Sequence, residues 1–406
     1  MHVLFLAPDT HVYNHGFVRA LHGLGARVSA IGLAPRERLS ATVRGLIADY
    51  RTCTRMLDTE VLLATARELA TTQPFDRIET IEEPLVEAAA VLRERLGLPG
   101  LSVRTARLCR DKAQMKEFLR GHGVACAQST GASSEAEVRA FCERVGFPVI
   151  VKPIAGFGSL DTHRIGSAKE LDALLPNLRI GEQRRVAVEE FIEGHEGFFD
   201  TIVDGQGVRM DFAAHYYPGC LEAAQDRGIV PQIAVTNRIE QDGYAELRTM
   251  GRRVIDLLGL RNTATHMEWF FGPKGLKFSE IGARPAGEKI WDMYAVGNEF
   301  DVYDEWARAV FDMPSSRAPS RRFAVGSVQI RPDRDGRFVG HTGVEELRRR
   351  FWQHVYEYEV PAIGTPTKGL DKGWLVNTWF RLRHADYDEL RRLMTEFGNI
   401  VKSFAR

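Results

Sequence analysis

The 406-residue sequence contains little that would tie it to a membrane, a polyanion or an oxidising compartment. Five cysteines (Cys53, Cys109, Cys126, Cys142, Cys220) are too few and too scattered for a disulfide framework, and none forms a CxxC pair. They are expected as reduced, mostly structural thiols of a cytoplasmic protein. No run approaches the roughly 18 apolar residues of a membrane span, and the opening MHVLFLAPD has no cation ahead of a short apolar stretch. The 54 basic residues cancel the 54 acidic ones, so neither nucleic acid nor a charged membrane surface is expected as a partner. GxxxxGK[ST] and GxSxG are both absent. His11 and His15 have helical spacing, but no Glu follows His11 and no third ligand is evident, which disfavours a zinc hydrolase. Lysine is scarce, at ten against 44 arginines, so a lysine at a chemically useful position carries more information than usual.

What is present is a globular composition, 44% hydrophobic and 27% charged, long enough for two or three domains. Residues 3–8 and 27–32 read as buried strands around a helix over 16–22, a βαβ start. Gly23 and Gly25 lie where that helix ends, whereas a dinucleotide fingerprint puts its glycines between the first strand and the helix. Helices are expected over 59–72 and 84–96, with Gly97 as a C-terminal cap. A small α/β domain is therefore placed at 1–107. Ser134 with Glu137, and Ser167 with Glu170, fit capping boxes, and between them FPVIVKP (147–153) has the apolar run of a fully buried strand. Strands are expected over 186–192, 198–203 and 207–216, with Asp204-Gly205 as a turn signal. The polar stretch 314–322 separates off a C-terminal α+β unit that includes FAVGSVQIRP and WLVNTWFRLR.

The richest segment is THMEWFFGPKGLKFSEIGARP, residues 265–285. A three-residue loop of Pro273, Lys274 and Gly275, with Gly275 at positive φ, sets Gly272 opposite Leu276 and Glu268 opposite Glu280. Alternation then groups His266, Glu268 and Phe270 with Phe278, Glu280 and Gly282 on one face. Opposed carboxylates repel, so either the hairpin faces solvent with both merely exposed, or a divalent cation, a proton or an arginine such as Arg284 balances them. An all-oxygen site suits Mg²⁺ on nucleotide phosphates better than Zn²⁺. Elsewhere, Lys152 ends a strand beside Gly156, Gly158 and Ser159, whose backbone could close over phosphates. Lys112 follows Asp111, a helix N-cap. EEFIEGHE (189–196) offers a strand edge and carboxylates able to meet a nucleoside.

This order of lysine, lysine with glycine loop, acidic strand exit and carboxylate hairpin ending in arginine resembles the ATP-grasp superfamily, and within it the carboxylate–amine ligases that join amino acids or build purine precursors. The resemblance covers about residues 1–315. It implies an α/β and α+β architecture: a Rossmann-like pre-ATP-grasp domain at 1–107, an ATP-grasp domain at 108–314 with a lid subdomain at about 115–188, and a C-terminal α+β lobe at 315–406. It also implies that Lys112 and Lys152 hold ATP phosphates under a lid of Gly156, Gly158, Ser159 and the residues up to Arg164. Glu189 and the strand edge Glu190, Phe191 and Ile192 would read adenine, and Glu196 would take the ribose. Glu268 and Glu280 would bind Mg²⁺ or Mn²⁺, with Lys152 and Arg284 catalytic. Gly282 stands where many relatives carry an Asn metal ligand. Glu82 and Glu83 fall where relatives approach substrate.

The implied activity is amide or peptide-bond formation through an acyl phosphate, releasing ADP and phosphate. The alternatives are a carboxylase or kinase with another acceptor, or a non-catalytic ATP binder. Carboxylate and amine substrates, amino acids first among them, are the expected partners, and a homodimer is compatible.

Overall fold

The computed structural model describes residues 1–155, 161–181, 184–370 and 376–406. The first sheet is parallel. β1 (His2–Leu6), β2 (Arg27–Gly32), β3 (Ile47–Thr52) and β4 (Arg77–Glu79) lie in the order β3-β2-β1-β4. The central strands β1 (HVLFL) and β2 (RVSAIG) are buried almost throughout, as a parallel sheet covered on both faces requires, whereas the edge strand β3 (IADYRT) is largely exposed. The helix Val86–Leu96 stops at Gly97, whose φ of +67° gives it the expected left-handed cap.

A small antiparallel sheet follows. It takes β5 (Ser129–Ala132), β6 (Val149–Pro153), β7 (His163–Ile165) and β8 (Val186–Glu190) in the order β5-β8-β6-β7. Only Val149 and Val151 of β6 are fully buried, because helices cover one face and the other looks onto a cavity, so the strand alternates instead of burying throughout. The two capped helices start as expected, at Glu135 and Ala168, with Ser134 and Ser167 accepting the N–H three residues on. Each returning glutamate bonds one residue earlier than expected, to the N–H of Ser133 and of Gly166. The apolar core of this unit runs from Ala132 to Val188. The helix Lys112–Gly121 sends Met115 and Leu119 into a different core, while Arg120 bonds Ser129 of β5 and Lys116 reaches Glu189 of β8, so the helix bridges the lid sheet and that core.

The remaining strands are β9 (His195–Asp204), β10 (Gly207–Tyr217), β11 (Gln232–Val235), β12 (Thr263–Gly272), β13 (Gly275–Gly282), β14 (Ala324–Ile330), β15 (Phe338–Thr342), β16 (Val355–Glu359), β17 (Thr378–His384) and β18 (Lys402–Ala405). Eight of them make one antiparallel sheet ordered β13-β12-β9-β10-β11-β14-β17-β16, and β15 pairs with β18. The β9–β10 turn is Gly205-Gln206, one residue past the expected pair. Residues after 315 form the expected α+β unit packed on the rest, joined to the central sheet through β14 on β11. Trp374 and Leu375 of the expected strand WLVNTWFRLR lie outside the described residues. The chain crosses position 107 inside the helix Val103–Arg110, and Phe17 of the first unit packs against Trp291, Tyr303 and Trp306 of the central one. All five cysteines are buried free thiols. Among the described residues no helix is long and apolar enough to cross a membrane.

Candidate functional site

Between the small sheet and the central sheet lies a cavity of about 390 Å³. Its lining includes Lys112, Lys152, Glu189, Glu190, Phe191, Ile192, Glu196, Glu268 and Glu280, so nine of the singled-out side chains converge on one space. Gly156, Gly158 and Ser159 lie outside the described residues.

The hairpin delivers its carboxylates by a different register from the one expected. Gly272 pairs with Gly275, leaving Pro273 and Lys274 as a two-residue turn, and Phe271 faces Leu276. Continued unbroken, that register would set Ser279 against Glu268 and turn Glu280 into the core. A bulge after Phe278 takes up Ser279 as the extra residue and restores Glu268 opposite Glu280. Phe278 correspondingly leaves the carboxylate face: it is fully buried in the opposite core with Leu276 and Ile281, and its N–H donates to the Ala125 carbonyl at 2.8 Å. Gly275 does take the expected positive φ, +73°.

Charges alternate along the cavity floor. Lys112 Nζ lies 3.4 Å from Glu280, Lys152 Nζ 3.5 Å from Glu280 and 3.2 Å from Glu189, and Lys116 Nζ 2.6 Å from Glu189. Burial drives the Glu280 carboxyl up, but the surrounding ammonium groups of Lys112, Lys152 and Lys116 outweigh it and hold it at about 2. Burial likewise opposes Glu189, and Lys116 with Lys152 again wins, keeping it below its ordinary value. Lys116 moves the opposite way, down to about 8, because burial costs an ammonium with one close carboxylate more than Glu189 returns. Lys152, with carboxylates on two sides, is raised despite its burial. The Glu189 side chain is therefore enclosed by lysines and is not presented to a base, and the Glu190 N–H is already given to the Gln128 carbonyl.

At the other end the balance is negative. Burial and the neighbouring Glu280 raise Glu268, and burial and Glu268 push Glu196 up to about 8. Glu196 lines the cavity, is 8% exposed and accepts the Cys220 N–H at 2.6 Å through Oε2, the oxygen that a Cβ at Gly219 would meet at 2.7 Å. His266 sits beside this group. Its Nδ1 is 2.7 Å from Asp200, which also takes the Tyr294 hydroxyl at 2.6 Å, leaving Nε2 at 3.9 Å from Glu268. Two opposed, partly exposed carboxylates, one of them raised by desolvation and by its neighbour, fit a divalent cation, and the oxygen-only donors fit Mg²⁺. Among the described residues no group of three or more His, Cys, Asp or Glu could hold a metal, so phosphate or water oxygens would complete the shell.

Arg284 lies off the cavity lining. Its Nε donates to Glu83 at 2.8 Å, and Arg110 meets the same carboxylate at 2.9 Å. A Cβ at Gly282 would meet Glu83 Oε2 at 2.9 Å, so a side chain there requires the end of that carboxylate to shift. Glu82 is bound by Asn14 at 2.8 Å and by Thr10. Sequence reasoning overlooked Lys116, although it lies one helical turn from Lys112 on the same face. Arg164, the last residue of the implied lid, lines the cavity with its guanidinium 4.8 Å from the Phe191 ring. Leu221 and Glu222 of the helix Cys220–Gln225 are further lining residues with no sequence signal.

Residues 117–295 match the family model of the ATP-grasp domain. That segment, a little under half of the chain, is an ATP-grasp domain by its match to the family model. It is 25% identical over 302 residues to an L-arginine-specific L-amino acid ligase of Bacillus subtilis, covering 72% of this chain and 71% of that one. A formate-dependent phosphoribosylglycinamide formyltransferase of Synechococcus is 25% identical over 349 residues, 84% of each chain. The crystal structure of an L-amino acid ligase from Bacillus licheniformis superposes with a TM-score of 0.77 at 17% identity, covering 100% of this chain and 98% of that one, which places this chain in the same fold.

Proposed function

We propose that this chain is an ATP-dependent ligase that joins the carboxylate of one amino acid to the amine of another. The observation that carries the reading is the convergence of Lys112, Lys152, Glu268 and Glu280 on one cavity with cations at one end and surplus carboxylate at the other. The relatives named as amino acid ligases support the substrate class.

In this reading a substrate carboxylate oxygen attacks the γ-phosphorus of ATP and the bond to the β-phosphate oxygen breaks, giving an acyl phosphate and ADP. The amine then attacks the acyl carbon, the carbon–oxygen bond breaks, inorganic phosphate leaves and the nitrogen sheds a proton. No protein nucleophile is needed, so the chain's work is positioning and charge neutralisation. Lys112 and Lys152 neutralise phosphoryl oxygens, and Ile192 and Phe191 give the base an apolar wall. Glu268 and Glu280 hold Mg²⁺, which when bound neutralises phosphate charge.

A screen of amino acids singly and in pairs with Mg²⁺ATP, read by phosphate release and product mass, tests the assignment. Release with particular pairs, together with a dipeptide mass, is the expected result. Equal release without an amine points to another acceptor, and no ADP with any pair overturns ligation.

A further inference from the structure

We infer that Lys116 is a positioning residue: by pairing with Glu189 it keeps that carboxylate from capturing Lys152, and so frees Lys152 to turn toward phosphate. This rests on the ATP-site reading above and adds to it a residue that acts through Glu189.

The argument starts from the helix Lys112–Gly121, capped by Asp111 through the N–H groups of Ala113 and Gln114. Lys112 and Lys116 are one turn apart, so both reach the cavity floor, but Lys116 is 1% exposed. A buried ammonium is retained only where a partner repays its desolvation. That partner is Glu189, 2.6 Å away, whose other oxygen is 3.2 Å from Lys152. Lys152 is thus contested by two carboxylates, with Glu280 at 3.5 Å. If Glu280 turns to a metal ion, Glu189 alone holds Lys152 back. A carboxylate shared between two ammonium groups grips each less than one with a single partner. Removing Lys116 leaves Glu189 with Lys152 as its one close cation, and the lysine that should meet phosphate is tied down.

The test compares Lys116→Met, Lys116→Arg and the double variant Lys116→Met/Glu189→Gln, with ATP and adenosine as probes in calorimetric titration with Mg²⁺. Lys116→Met is expected to weaken ATP at least about tenfold while leaving adenosine within about threefold, because the effect passes through phosphate. The double variant, which removes both charges of the pair, is expected to recover ATP binding to within about threefold of wild type, and Lys116→Arg to retain it. Equal weakening of ATP and adenosine would mean a merely structural lysine and overturn the inference, as would a double variant no better than the single one. Should Lys116→Met fail to fold, the double variant decides by the same thresholds. A wild-type chain that binds no ATP refutes the ligase reading as well, whereas the other negative outcomes refute this inference alone.

Discussion

The charged side chains of the cavity are arranged in sequence-distant pairs whose distances decide which groups can act. Glu280 is the pivot, since it touches both Lys112 and Lys152 and opposes Glu268. Glu280→Gln keeps the shape and removes the charge, so phosphate release is expected to fall about 10²- to 10³-fold, the usual loss for one preorganised electrostatic group. The Mg²⁺ concentration for half-maximal rate should rise with it. An unchanged Mg²⁺ titration would remove Glu280 from the metal site. A second residue-scale prediction concerns His215, away from the cavity. Burial, then His195 and Arg391, push its pKa down to about 3, and it lies 2.9 Å from His195 and 2.7 Å from the Tyr244 hydroxyl. The folded state keeps it neutral, whereas the unfolded chain takes a proton below about pH 6.5, so its contribution is whole above that value and is lost as pH falls toward 3. Between pH 6 and 4 the wild type should lose roughly 2 kcal/mol more stability than His215→Gln. Parallel urea-derived stability profiles for the two proteins would refute this.

The β12–β13 hairpin shows how far an element can be read from its letters. The expected three-residue loop put Glu268 against Glu280 and Gly275 at positive φ; both hold, the pairing because a bulge makes up for the shorter turn. The bulge was not legible, because it is set by a long-range contact: Phe278 gains a buried site and a hydrogen bond to Ala125 only when Ser279 is taken out of the ladder. The same applies to β6, whose apolar string hid the cavity on one face, and to Glu189, whose lysine partners come from a helix and a strand far apart in sequence. The turn itself makes a clean test of backbone against packing. A Cβ at Gly275 would meet nothing within 4 Å, so Gly275→Ala pays only for φ of +73°. A loss of about 1 kcal/mol is expected, with Gly275→Asn losing less because Asn tolerates the left-handed region. A denaturation midpoint unmoved by alanine would show that the turn is not held at positive φ in solution.

At the scale of the whole molecule, composition and motif order sufficed for the fold class, because each unit has its own periodicity. Where the units join was less legible. Pairing of β14 with β11 and of β17 with β14 joins segments far apart in sequence, and cross-strand partners leave no local mark. The first unit is likewise bound to the centre by a shared core: Phe17, 1% exposed, meets Tyr303 and Trp306 edge-on at 4.9 Å and Trp291 at 5.0 Å. Beside it Gly16 lets the helix Asn14–Gly23 close on Tyr303, whose ring would lie 2.7 Å from a Cβ at that position. Chains of this size commonly unfold domain by domain. Here a continuous apolar core spans the first sheet and one face of the central one, so exposing either half strands the aromatic cluster in water. These two units are therefore expected to melt together, and Phe17→Ala, which leaves a cavity between three large rings, should shift that joint transition down by about 3–5 kcal/mol without splitting it. Calorimetry of wild type and variant checks this, with probe fluorescence from a label on the helix Thr59–Leu69 to report the first unit. An early, separate melting of the labelled unit in the wild type would show that the shared core does not couple the two.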